Sequence, residues 1–167
     1  MAFTIEELGS QHRRKEFACG EPSLDEYIRR YASQDVKRNV ARIFVATEPG
    51  DPGQILGYYA ISAGSVQAAQ LPAEYSKRVP KYPVPVALIG RLAVSEAAQG
   101  KGLGSVLLAD ALQRIVKASE SLAVHAVVVD ALHARARAFY EQFGFVPLPE
   151  QPLRLFLPLE TIGKALS

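Results

Sequence analysis

A chain of 167 residues is about one domain long and large enough to bury most of the surface its unfolded form exposes. Hydrophobic residues make up 49% of it, yet no apolar run approaches the ~20 residues that span a bilayer. The N-terminus, MAFTIEELGSQHRRKEF, lacks a signal-peptide pattern, so a cytoplasmic location is expected, and a lone cysteine (Cys19) excludes an internal disulfide.

In chain order, Phe3–Leu8 reads as a first strand. Ser23-x-x-Glu26 is a capping-box pattern, and Leu24, Tyr27, Ile28 and Tyr31 recur at helical spacing, which predicts a helix from about Ser23 to Val40. Arg42–Thr47 and Gln54–Gly64 flank the turn Glu-Pro-Gly-Asp-Pro-Gly and predict a hairpin. Residues 71–85 contain Pro72, Pro80, Pro83 and Pro85. Proline fixes φ and lacks a donor, so an ordered loop with at most one short helix is expected there, next to an acceptor site. Val86–Val94 (VALIGRLAV) reads as a buried strand and Ser105–Ser119 as a helix. Ala123–Asp130 reads as a second buried strand, Ala134–Gly144 as a short helix and Leu153–Leu157 as a last strand. The sum is a single α/β domain over residues 1–167.

Net charge is only +2, but it is unevenly spread. Residues 29–42 carry Arg29, Arg30, Lys37, Arg38 and Arg42 against Asp35. Residues 77–101 carry Lys77, Arg78, Lys81, Arg91 and Lys101 against Glu96. Two basic segments in a slightly acidic background form either a phosphate-binding face or a solvated helix surface with one lysine at a ligand.

Between the strand at 86–94 and the helix at 105–119 lies Gln99-Gly-Lys-Gly-Leu-Gly104. The N–H groups of a helix's first turn have no intrahelical partner, the helix dipole adds positive charge, and glycines let backbone touch a phosphate. Backbone from Gly100 to Ser105 is therefore expected to hold a pyrophosphate. A Walker loop fails because Gly102, not Ser or Thr, follows Lys101. A Rossmann fingerprint fails on glycine spacing and on its position past mid-chain. The remaining pattern, Gln/Arg-x-x-Gly-x-Gly/Ala, is met by Gln99, Gly102 and Gly104. It resembles the acetyl-coenzyme A loop of the GCN5-related N-acetyltransferases (GNAT).

Ala138-Phe-Tyr-Glu-Gln-Phe-Gly-Phe145 resembles the second signature of the same family, and the intervening elements follow the family's order over about residues 40–160. The resemblance implies the GNAT fold, a mostly antiparallel mixed sheet flanked by helices, with acetyl-CoA as co-substrate and no metal. It assigns the cofactor to Leu92, Ala93 and Val94, whose main chain would pair with the pantetheine arm, and to Gln99, Gly100, Lys101, Gly102, Leu103, Gly104 and Ser105. A free N–H in that strand would polarise the thioester oxygen. It also makes Tyr140 the general acid for the leaving thiolate. A phenol titrating near 10 is protonated at neutral pH; the alternative is a core aromatic between Phe139 and Phe143.

No residue announces itself as a general base. His12, His125 and His133 share no metal-ligand spacing; His125, in an apolar strand, is expected in the core, and His133 on the surface. Glu96 and Glu141 have nothing special behind them, and Cys19 reads as a small buried apolar residue. A missing base suits an α-amine better than a lysine. The first titrates at about 7.7–8.0 and an adjacent ester lowers it further, whereas the second titrates near 10.4, roughly.

Further segments resemble one branch of the family, the acetyltransferase toxins of bacterial toxin–antitoxin pairs. They are Phe17-Ala-Cys-Gly20, Leu24-Asp-Glu-Tyr27, Gly57–Ser65, Leu71-Pro72, Pro80–Pro85, Leu88–Ala93 and Leu153–Pro158. This resemblance implies acetylation of the α-amine of aminoacyl-tRNA, a block on translation, a small ribbon-helix-helix antitoxin and often a homodimer. It turns Arg29, Arg30, Lys37, Arg38, Arg78, Lys81 and Arg91 into a tRNA-backbone surface. Two features depart from the branch: the modest net charge, and His133 where relatives often carry an acid. The rival expectations are a GNAT enzyme for a small amine or protein, and a catalytically silent CoA-binding module.

Overall fold

The computed structural model describes residues 2–166. Seven strands form one sheet in the order β1-β2-β3-β4-β5-β7-β6. They are β1 (Thr4–Glu7), β2 (Arg42–Thr47), β3 (Gly57–Val66), β4 (Val84–Val94), β5 (Ala126–Asp130), β6 (Val146–Leu148) and β7 (Gln151–Pro158). β4 and β5 are parallel, from Val86↔Ala126 to Ile89↔Val129; β1/β2, β2/β3, β5/β7 and β6/β7 are antiparallel. By compactness the chain divides into two units, Met1–Ser62 with Arg91–Ala111, and Ala63–Gly90 with Leu112–Ser167.

In the first unit the predicted helix at 23–40 is three pieces: α1 (Pro22–Glu26), a π-helical turn (Tyr27–Tyr31) and α2 (Ala32–Lys37). The capping box does not form. Pro22 opens the helix at its first position, where a missing N–H costs nothing, and Glu21 makes no side-chain cap. The helix widens beside the Leu24 carbonyl, which accepts the Tyr58 hydroxyl at 2.7 Å, an intrusion of the kind that bends a helical ladder. Phe17, Tyr27, Ile28 and Ala32 pack with Ile43, Val45 and Tyr58 in one cluster. Phe44 and Tyr59 stack at 5.3 Å, and the Tyr59 hydroxyl donates to Asp110 at 2.5 Å. Asp110 stands on α4 (Leu103–Ala118), whose Leu103, Leu107, Leu108 and Ala111 are buried.

In the second unit Val66, Leu71, Val84, Val86, Val128 and Phe156 make another cluster, with Tyr75 of α3 (Ala73–Ser76) edge-on to Phe156 at 4.8 Å. The proline-rich stretch behaves as expected, one short helix followed by irregular backbone up to Val84. α5 (Ala134–Glu141) and α6 (Leu159–Leu166) complete the fold.

Sequence pattern missed β6, three residues long and too short to show a period, and also missed α6. It also started β5 too early. His125 is exposed rather than in the core: its main chain bonds Pro85 and Leu159 on either side, and burial begins only at Ala126, where pairing with Val86 starts.

Candidate active site

The glycine loop is shaped by backbone, not by side chains. Gly100 and Gly102 have φ of +79° and +80°, the left-handed region, and an added Cβ on either would meet nothing within 4 Å. Two left-handed residues so close together turn successive N–H groups toward one side, an anion-binding concavity. Among the described residues, no N–H from Gly100 to Ser105 donates a backbone hydrogen bond; the α4 ladder begins with Val106 donating to Gly102 at 3.3 Å. Lys101, Gly102 and Ser105 are exposed, while Leu103 is buried and anchors the helix start. Open space, unspent donors and a 16-residue helix behind them fit a pyrophosphate.

Gln99 has a different role from its neighbours. Its side-chain amide donates to the carbonyls of Cys19 and Val94, both at 3.0 Å. The Glu96 N–H donates to Ala18 at 2.8 Å, and buried Asp25 accepts the Cys19 N–H at 2.8 Å. The Phe17–Gly20 segment is thus a strap that clips the end of β4 to the start of the loop. Burial pushes the Cys19 thiol up to about 12, with the Asp25 carboxylate adding to the effect. Such a thiol is neither a nucleophile nor a metal ligand at neutral pH.

The β4 positions divide by strand alternation. Ala93 directs its carbonyl to β3, where a Cβ on Gly57 would sit 3.0 Å from it, and the Ser95 N–H donates to Leu56 at 2.8 Å on the same side. Leu92 and Val94 therefore turn their main-chain groups the other way. Of these, the Val94 carbonyl is taken by Gln99. Under the strap, a cavity of about 220 Å³ reaches Arg13, Phe17, Gln54 and Ser95, and the buried Ser95 hydroxyl has no partner among the described residues.

In the second unit, Tyr140 is 4% exposed, with Phe139 and Phe145 edge-on at 5.3 and 5.7 Å. Burial, and then the negative charge of Asp130, push its phenol well above the ordinary tyrosine value. Asp130, at the end of β5, accepts two bonds from Arg154 at 2.7 and 3.0 Å. His133 caps α5: its Nδ1 accepts the Ala136 N–H at 3.2 Å. An N-cap needs an oxygen or nitrogen lone pair, and the ring nitrogen of His133 supplies it. Glu141 is tied to Arg137 at 3.1 Å and Glu96 is exposed, which leaves neither marked as a base. Sequence reading passed over Asp25, Asp130 and Arg154; the signal for Asp25 lay in the Leu-Asp-Glu-Tyr segment, but nothing local pairs Asp130 with Arg154.

The basic positions are not equivalent. Arg29 donates to the Phe17 carbonyl at 2.5 Å, Arg30 pairs with Glu26 at 3.6 Å, and Arg91 lies 3.7 Å above the centre of the Tyr27 ring. Arg78 is 5.9 Å from the Tyr75 ring centre. Lys37, Arg38 and Lys81 are exposed. Among the described residues, no three His, Cys, Asp or Glu side chains cluster to hold a metal, and no helix is long and apolar enough to cross a membrane.

The acetyltransferase (GNAT) domain family matches residues 39–147. The chain is 45% identical over 141 residues to a tRNA-acetylating toxin of Mycobacterium tuberculosis, covering 84% of this chain and 82% of that one. Its fold matches AtaT complexed with acetyl-methionyl-tRNAfMet at a TM-score of 0.90 and 29% identity, over 99% of this chain and 100% of the other. It also matches a mutant AtaT toxin bound to the C-terminus of the antitoxin AtaR and acetyl-CoA, at 0.84 and 26% identity, over 99% and 98%. With the matched family covering both the glycine loop and Tyr140, the chain belongs to the GNAT acetyltransferases and is an N-acetyltransferase.

Proposed function

We propose that this enzyme transfers the acetyl group of acetyl-CoA to the α-amine of aminoacyl-tRNA and thereby arrests translation, as a toxin restrained by an antitoxin. The observation that carries this reading is the 45% identity, over 84% of the chain, to a tRNA-acetylating toxin. The AtaT structures with acetylated methionyl-tRNA and with acetyl-CoA support it. A cytoplasmic location, a homodimer and a ribbon-helix-helix antitoxin belong to the same reading.

Each residue has a task in it. N–H groups from Gly100 to Ser105 hold the pyrophosphate, with the exposed Lys101 adding charge. The N–H of Leu92 or Val94 polarises the thioester carbonyl as the amine attacks, which favours the developing oxyanion. A C–N bond forms, the C–S bond breaks, and the nitrogen passes its proton to water, from which Tyr140 recovers the one it gives up. Tyr140, kept protonated by its burial, donates a hydrogen bond to the departing sulfur and then its proton. No base is required, because an α-amine beside an ester is already partly neutral near pH 7 to 8, roughly.

The test is incubation of the protein with labelled acetyl-CoA and a mixed aminoacyl-tRNA pool, beside Tyr140→Phe. Label on the aminoacyl end that disappears with the variant supports both substrate and acid. Intact acetyl-CoA binding with no labelled tRNA rejects the tRNA reading and leaves small amines and proteins as acceptors.

A further inference from the structure

The seven tyrosines of this chain are not placed alike. Tyr27, Tyr58, Tyr59 and Tyr140 are buried, and Tyr75 is half-buried against Phe156. Tyr31 and Tyr82 are 49% and 68% exposed. Among the described residues neither side chain makes a hydrogen bond or a ring contact. Each stands inside one of the two basic segments.

A single exposed aromatic needs no explanation. These two differ in their surroundings. Tyr82 follows Lys77, Arg78 and Lys81, all exposed, and lies between Pro80 and Pro83. The prolines restrict φ on both sides and hold the residue before Pro83 extended, so the ring is displayed at little entropic cost. Tyr31 closes the π-helical turn; Gln34 follows at i+3 on α2, and Arg38 is the C-cap of that helix. Tyr31, Arg38 and Lys37 are all exposed.

Cations bind the phosphate backbone of any nucleic acid, paired or not. An exposed aromatic ring adds what cations lack, a flat apolar face on which an unpaired base stacks. A duplex keeps its base faces to itself. We propose that Tyr82, and independently Tyr31 within its own helix, stack on unpaired nucleotides of the RNA substrate, so that each basic segment by itself favours a single-stranded end over a helix. This rests on the tRNA reading above and names the part of the tRNA those segments take.

Binding of the full chain to an RNA hairpin ending in a short unpaired 3′ tail is compared with binding to the same hairpin cut blunt. Wild type is expected to prefer the tailed hairpin. Tyr82→Ala should weaken tailed binding roughly ten-fold and leave blunt binding unchanged; Tyr82→Phe should keep the preference. Tyr31→Ala is expected to act in the same direction. Lys81→Ala should weaken both hairpins alike and flatten the salt dependence. Alanine variants that keep the wild-type preference overturn the proposal, even if they lose affinity for a protein partner. Equal binding of both hairpins by a wild type that still acetylates aminoacyl-tRNA overturns stacking alone. A wild type that binds neither hairpin and labels no aminoacyl-tRNA overturns the tRNA reading and the stacking together.

Discussion

The loop at Gln99–Ser105 and the helix that carries Tyr140 solve opposite problems. The loop works by leaving groups unspent: N–H groups without backbone partners, glycines with open space over them, a lysine in solvent. Tyr140 is enclosed, 4% exposed between aromatic rings, its phenol pushed up by burial and by Asp130. One site is main chain and local. The other is a side chain whose chemistry depends on residues distant in sequence. Damage to the first should therefore appear in cofactor binding, and damage to the second in turnover and in pH dependence.

The sharpest test of that contrast is Tyr140→Phe. Loss of a general acid costs roughly 10²- to 10⁴-fold in kcat, while the KM for acetyl-CoA should stay within about two-fold because the loop is untouched. A variant that loses cofactor affinity instead would erase the distinction.

Gly102→Ala should do the reverse. An L residue forced to φ of +80° costs about 1–2 kcal/mol, an expected five- to thirty-fold loss of acetyl-CoA affinity by calorimetry, roughly. Because no atom lies within 4 Å of the added methyl, the cost is conformational, and Gly102→Asn should recover part of it. Equal loss with Asn would point to a steric cause.

Smaller still is Gln99→Ala, which removes two bonds to the Cys19 and Val94 carbonyls. Each is worth about 1 kcal/mol, so a few-fold rise in the KM for acetyl-CoA is expected with kcat unchanged. A fall in kcat alone would show that the strap serves the reaction and not the loop.

The mildest effect is a slope with pH. Burial raises the phenols of Tyr27, Tyr58 and Tyr140 and the Cys19 thiol above their unfolded values, Cys19 to about 12. A group raised on folding stabilises fully below its unfolded value and loses that contribution as pH climbs toward the folded one. The melting temperature should thus hold steady to about pH 8.5 and decline above it, more steeply beyond about pH 10. Tyr140→Phe should make the decline shallower, whereas Gly102→Ala should leave its shape alone. A flat profile to pH 11 would reject the enclosure argument.

Legibility followed the same division. Gly100 and Gly102 could be read as a turn between a strand and a helix because glycine takes a left-handed φ without strain. The turn at 48–53 and β2 could be read for a similar local reason. At Gln99 the sequence shows nothing of the side-chain bonds to the Cys19 and Val94 carbonyls, since only the fold brings Cys19 beside it. Arg91 belonged to a basic run by sequence; in the structure its guanidinium covers the Tyr27 ring. The helix at 22–37 has helical spacing, yet its π-helical turn depends on a hydroxyl 34 residues further along.

Sequence alone determined the glycine-rich turn and the strand and helix that flank it. These depend on backbone geometry within a few residues, where glycine, proline and periodicity act directly. Tertiary structure alone decided that Asp25 secures the strap and that His133 serves as an N-cap. It also set Asp130 and Arg154 as a pair near the phenol of Tyr140, and left two tyrosines of seven in solvent. Those facts turn on burial and on long-range hydrogen bonds, and desolvation is a property of the surroundings that no short stretch of chain carries by itself.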